Sequence, residues 1–146
     1  MITYYDDELI SGIAYQEHVT KFLNEHAGMN IKNYETKEEQ YNIGENDAGI
    51  EIKFDKKFSI TRRFWIETQE RTSRFTSYVP SGIFRCDNST DYLIGDYNTA
   101  FLFDKKVLQN ISGDFEEEEN HKFTSKAFFL PISKAKEIVK MIYKLK

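Results

Sequence analysis

The stretch Gly49-Ile-Glu-Ile-Lys-Phe-Asp55 alternates apolar and charged residues with a period of two. Successive side chains of a strand point to opposite faces. Ile50, Ile52 and Phe54 therefore share one face, and Glu51, Lys53 and Asp55 share the other. A segment of this kind reads as a strand that gives only one face to a core. Phe64-Trp-Ile-Glu-Thr-Gln69 alternates in a similar way and is rich in β-formers. The link Lys56–Arg63 is short, which predicts that the two strands are antiparallel neighbours.

The rest of the chain supplies elements to set around that pair. Ser11 reads as an N-cap, Ile13, Ala14, Phe22 and Leu23 recur at roughly helical spacing, and Gly28 marks a stop. These signals predict a helix over 12–27. A short extended piece falls near Ile31–Tyr34. Gly82–Arg85, Tyr92–Ile94 and Ala100–Phe103 read as short strands, with Asp96-Tyr-Asn-Thr as a turn. Lys105–Ile111 reads as a brief helix and Asp114–Asn120 as a solvated loop. Ala127–Leu130 is apolar and ends at Pro131. Ser133 is placed to cap a final helix, with Ile138, Val139, Ile142 and Tyr143 on one face. Phe64, Trp65 and Phe75 are expected in the core. The order predicts one α+β layer domain over residues 1–146, without repeat or linker.

Composition narrows the class. The chain has 146 residues, 40% hydrophobic and 30% charged, with two prolines and seven glycines. That excludes collagen-like, low-complexity and wholly disordered chains. No apolar run approaches a membrane span. The first ten residues carry Asp6, Asp7 and Glu8 and no base, unlike a secretory signal. Cys86 is the only cysteine, so an internal disulfide is excluded and a Cys/His zinc site is disfavoured. The expected setting is a reducing cytoplasm.

Net charge is −4, which by itself argues against a nucleic-acid partner. Its distribution argues the other way. Residues 1–50 hold ten acids and three bases, whereas residues 53–74 hold seven bases and three acids. The last thirteen residues hold five lysines and one acid.

The charged face of the first strand is the candidate site. Glu51, Lys53 and Asp55 line it, and Asp47 has the same parity just upstream. Glu67 and Gln69 share a face of the neighbouring strand. Three or four carboxylates and one lysine would then stand together. Carboxylates brought that close repel, and oxygen ligands without cysteine suit Mg²⁺ or Mn²⁺. A lysine beside them can orient a water or stabilise charge building on a phosphate.

At this point the residues resemble a family. Glu51-Ile-Lys53, with an acid upstream at Asp47, resembles the PD-(D/E)xK nuclease superfamily. Ile-Glu-Ile-Lys-Phe-Asp, a short linker and Phe-Trp-Ile-Glu are similar to the core hairpin of phage and bacterial members. Glu17 in Tyr-Gln-Glu-His resembles the acid on their N-terminal helix. Ser81-Gly-Ile and Asp91-Tyr-Leu-Ile resemble their later serine and strand. The likeness covers about residues 12–108. It implies a restriction-endonuclease-like core, a mixed sheet of about four to six strands flanked by helices. It also implies a Mg²⁺- or Mn²⁺-dependent deoxyribonuclease, endonuclease in preference to exonuclease. Asp47, Glu51, Lys53 and Glu67 would be catalytic, and Asp47, Glu51, Glu67 and Glu17 would hold metal. DNA is the implied partner, and a homodimer could cut both strands.

The interval of four residues between Asp47 and Glu51 is shorter than the family's usual one. A second register, Glu51 with Glu67-x-Gln69, therefore stays open, and Glu51 belongs to both. Lys56, Lys57, Arg62 and Arg63 read either as solubilising turn residues or as phosphate contacts beside the cut site. Two bland readings stand beside the nuclease. Glu51 and Lys53 also fit the solvated face of an amphipathic strand with cross-strand partners. The same fold could serve as a non-catalytic nucleic-acid- or protein-binding accessory module.

Overall fold

The computed structural model describes residues 4–146, with side chains from Glu8 onward. Its elements run α1 (Tyr4–His26), α2 (Lys37–Asn42), β1 (Ile50–Phe54), α3 (Phe58–Thr61), β2 (Arg63–Glu70) and β3 (Val79–Pro80). They continue with β4 (Asp91–Gly95), β5 (Thr99–Asp104), α4 (Lys105–Ile111), β6 (Glu118–Glu119), β7 (Ser125–Pro131), α5 (Ile132–Ile138) and β8 (Met141–Lys144). The fold is α+β, as expected, but the strands form two sheets of four among the described residues, not one mixed sheet. The first has the order β1-β4-β5-β8 and the second β3-β2-β7-β6.

The predicted β1–β2 hairpin does not form. β1 pairs in parallel with β4, Glu51 opposite Tyr92 and Lys53 opposite Ile94. β2 pairs with β7 and, at its end, with β3. The short link is taken up by α3, whose last turn closes on Arg62 at a left-handed φ of 56°. That turn sends β2 into the second sheet.

Two core clusters flank the first sheet. Ile50, Ile52, Leu93, Ala100 and Leu102 pack with Tyr15, Val19 and Leu23 of α1. Tyr92, Ile94, Phe101 and Phe103 face the other way and meet Phe64, Ile66, Phe128 and Leu130 of the second sheet. Each fully buried side chain of this kind contributes roughly 1.5–3 kcal/mol. The rings of Phe58 and Phe64 stack 4.0 Å apart at the seam. The layers are thus α1, first sheet, second sheet, and the charged face of β1 lies between the sheets.

Other expectations need correction. Ser11 lies inside α1 and does not cap it. Residues 82–84 form a 3-10 turn, not a strand, because Gly82 takes a left-handed φ of 55°. The C-terminal helix stops at Ile138, and Ile142 and Tyr143 lie on β8, paired with β5. Phe75 is exposed, not core. The strands at 91–95 and 99–104, the turn at Asp96 and the helix Lys105–Ile111 follow the sequence reading. No helix among the described residues is long and apolar enough to cross a membrane.

Candidate active site between the sheets

Glu51 is 2% exposed, an unusual position for a carboxylate. Its place follows from the alternation of β1: Ile50 and Ile52 go to α1, so Glu51 and Lys53 go to the space between the sheets. The Oε2 atom of Glu51 is buried and has no hydrogen-bond partner among the described residues. Burial pushes its pKa up to about 7; Lys53 pulls it down and Glu45 pushes it up again. Lys53 shows the reverse balance. Burial works against its charge, but the carboxylates of Glu51, Glu45 and Glu67 outweigh that and hold its pKa above the ordinary value.

Glu45 takes the place expected of Asp47. Its Oε2 accepts the Ile52 N–H at 2.6 Å. Burial raises its pKa, opposed by Lys53, the Ile52 N–H and Arg85. Asp47 is exposed, and its Oδ1 accepts the Lys32 N–H at 2.8 Å. The reason is local. The strand starts at Ile50, and Gly49 before it has a left-handed φ of 68°. The alternation cannot be extended back through that residue. The preceding loop winds around buried Asn46, whose amide donates to the Ile50 carbonyl at 2.7 Å and accepts the Ile50 N–H at 3.1 Å.

Glu67 reaches the site from β2 and is held from two sides. Its Oε2 accepts from the Ser81 hydroxyl at 3.1 Å and its Oε1 from the Ser125 hydroxyl at 2.8 Å. Gly82 permits this approach, since a Cβ there would lie 2.1 Å from the Glu67 carbonyl oxygen. Gln69 does not follow Glu67 inward. The ladder between β2 and β7 shifts between Glu67 and Gln69, and the Gln69 amide donates to both oxygens of Glu117 at 3.2 Å. Glu51, Glu45 and Glu67 all act electrostatically on Lys53, whereas Asp47 is bound to the Lys32 N–H and Gln69 to Glu117.

Glu17 is exposed on α1, which covers the opposite face of the first sheet. Lys56, Lys57, Arg62 and Arg63 are exposed around α3, beyond the far end of β1. Lys56 pairs with Glu8 at 2.8 Å, and the Arg63 guanidinium lies 3.6 Å over the Phe129 ring. The cations that act on Glu51 are instead Lys53 and Lys105.

Sequence reasoning missed a second layer of charges. The Lys105 ammonium, 4% exposed, donates to the Arg85 carbonyl at 2.9 Å, Ser89 Oγ at 2.6 Å and Asp87 Oδ1 at 3.2 Å. Burial disfavours the Asp87 carboxylate, but hydrogen bonds from Ser89 and the Lys105 ammonium hold its pKa below the ordinary value. These residues come from the turn before β4 and the start of α4, so only the tertiary fold joins them to β1. The signal that could have marked Lys105 is its place in the first turn of a helix after a capping Asp104, where a cation is unfavourable without a partner.

Among the described residues, no three His, Cys, Asp or Glu side chains are arranged to hold a metal ion by themselves. No family model, curated protein or solved structure matches the chain.

Proposed function

We propose that this chain is a Mg²⁺- or Mn²⁺-dependent nuclease hydrolysing phosphodiester bonds of DNA, with Glu51 and Lys53 at its centre. One observation carries the reading: a buried carboxylate oxygen without a partner, Glu51 Oε2, on the same strand face as Lys53. Burying an unsatisfied carboxylate is costly unless a cation or a proton meets it, and groups held at such a cost cluster at functional sites. The donor set suits a hard cation, because Mg²⁺ takes one or two carboxylates and completes its shell with water and phosphate oxygens. A ready-made cage of three side chains is therefore not required. Glu51 would hold the ion, assisted by Glu67 or Glu45. Such an ion, when bound, stabilises charge on the phosphate and acidifies the attacking water.

The chain's own residues do the rest. Lys53 presents a cation, kept protonated by three carboxylates, to the developing phosphate charge or to the attacking water. Glu67, immobilised by Ser81 and Ser125, is positioned without reorganisation. Arg85 adds positive potential beside Glu45. The restriction-endonuclease-like likeness of the Glu51-Ile-Lys53 strand supports the same chemistry.

The alternative reading is a non-catalytic nucleic-acid- or protein-binding module on the same fold. The experiment that separates them is cleavage of plasmid and single-stranded DNA with Mg²⁺ or Mn²⁺, beside calorimetric Mn²⁺ titration. Wild type should cleave and bind Mn²⁺. Glu51→Ala should lose both, and Lys53→Ala should lose cleavage. A clean wild type that neither cleaves nor binds Mn²⁺ overturns the nuclease in favour of the module.

A further inference from the structure

The segment between β2 and the Ser81 turn departs from the rest of the chain. From Arg71 through Cys86 there are three arginines and no acid, in a protein of net charge −4. Phe75 stands near its middle and is 90% exposed. A single exposed hydrophobic side chain needs no explanation. Here several features coincide. Phe123, Val79 and Phe75 are all exposed large apolar residues of this lobe. The Arg74 guanidinium lies 4.9 Å from the Phe123 ring centre and 6.0 Å from that of Phe75. Among the described residues Arg74 forms no ion pair, so its charge remains available to an anion.

The loop is also built to stay open. Arg71 clamps it, donating from Nε to the Phe123 carbonyl at 2.6 Å and from Nη1 to the Thr76 carbonyl at 3.2 Å. Its remaining charge is met by Glu119 at 3.3 Å. The Tyr78 hydroxyl also donates to Glu119, so that acid is occupied. Thr76 Oγ1 donates to the Ser73 carbonyl at 3.0 Å, and the Phe75 N–H donates to Ser73 Oγ at 3.2 Å. The backbone at the tip is thus fixed by its own side chains, with the Phe75 ring left in water. A rigid aromatic held outward loses little entropy when something stacks on it.

We propose that Phe75 and Arg74 form a stacking contact for an unpaired base and its adjoining phosphate in single-stranded or locally melted nucleic acid. An exposed ring with an arginine and hydroxyls beside it, on a segment that itself carries no acid, matches the chemistry of single-strand contacts. A protein partner would ask for a larger contiguous apolar area than one ring and its neighbours. The loop leaves the strand that carries Glu67 and returns at Ser81, which donates to Glu67. A strand held at Phe75 is thereby tethered to the element that carries part of the candidate site. The inference rests on the reading of the chain as a nuclease, and its test measures binding so that the two can fail separately.

The test is fluorescence anisotropy of labelled oligothymidylate, and of a labelled duplex, with wild type in EDTA so that no cleavage occurs. Wild type should bind the single strand, more weakly as salt rises. Phe75→Ala should weaken that binding by roughly 5- to 100-fold. Phe75→Trp should restore it, with the new indole quenched on binding. Ile60→Ala, which removes a side chain 84% exposed elsewhere, should bind like wild type. Equal binding by Phe75→Ala and wild type overturns the proposal, even if the protein cleaves DNA. Binding lost in Phe75→Ala, in a protein that never cleaves, keeps it and sinks only the catalytic reading. No binding by wild type, with self-association in sedimentation abolished by Phe75→Ala, overturns it in favour of a contact between copies of the chain.

Discussion

The Oδ2 atom of Asp55 accepts the backbone N–H of Trp65 at 3.1 Å, and Oδ1 of the same carboxylate accepts the Lys57 N–H at 3.2 Å. β1 and β2 thus meet through one side chain instead of a hydrogen-bonded ladder. That junction lets the two strands belong to different sheets while Glu51 and Glu67 remain in one electrostatic group with Lys53. It also predicts a result. Asp55→Ala should leave two backbone donors without their partner and cost about 1–3 kcal/mol in urea unfolding. Asp55→Asn keeps an acceptor and should recover part of that loss. If Asp55→Ala is as stable as wild type, the junction does not hold the sheets together.

Glu51 makes stability depend on pH in a defined direction. Its folded pKa, about 7, lies above the ordinary glutamate value of about 4.5. The folded state therefore binds the proton more tightly than the unfolded one. The contribution is fully present below the unfolded value and is lost as pH rises through the folded one. The loss amounts to about 3 kcal/mol above neutrality. Glu51→Gln should accordingly raise the melting temperature at about pH 8 but not at about pH 4. Equal shifts at both values would show that the carboxylate is not strained by burial.

Lys53 is the counter-charge to Glu51, Glu45 and Glu67. Lys53→Met should leave three carboxylates facing one another and destabilise the fold by about 3 kcal/mol at alkaline pH. The effect should shrink in mild acid, where Glu51 and Glu45, both already raised, take up protons. A loss that is constant with pH would point to lost packing instead.

Gly82 has a left-handed φ of 55°, and its missing Cβ leaves room for the Glu67 backbone. Gly82→Ala should cost well over 1 kcal/mol and displace the Ser81–Glu67 contact. Gly113→Ala, where nothing lies within 4 Å, is the matched control. Equal melting temperatures for the two variants would refute the close approach.

Period-two patterning is enough to find the strands at 50–54 and 63–70, and short apolar runs mark those at 91–95 and 99–104, because both signals are properties of neighbours along the chain. Glu51, Lys53 and Glu67 could be selected for the same reason: their residue types and spacing are local. The limits were local as well. Parity fails at Gly49, where a left-handed backbone ends the strand geometry, so alternation points to Asp47 where Glu45 stands. Ile142 and Tyr143 fit a helical face as well as a strand, and only pairing with β5 decides between them. Apolar character alone assigned Phe75 to the core, because hydrophobicity does not say which side of a loop faces water.

Local patterning along the chain sets which segments are extended, which face of each is apolar, and that one charged face carries an acid and a lysine two residues apart. Tertiary structure alone decided what that face meets. β1 joins β4, nearly forty residues downstream, and the second sheet closes over Glu51. Burial is a property of what other parts of the chain do. A solvated Glu51 would be an ordinary strand residue; enclosed between two sheets, with one oxygen unpartnered, it becomes a group whose proton and ligand preferences are altered.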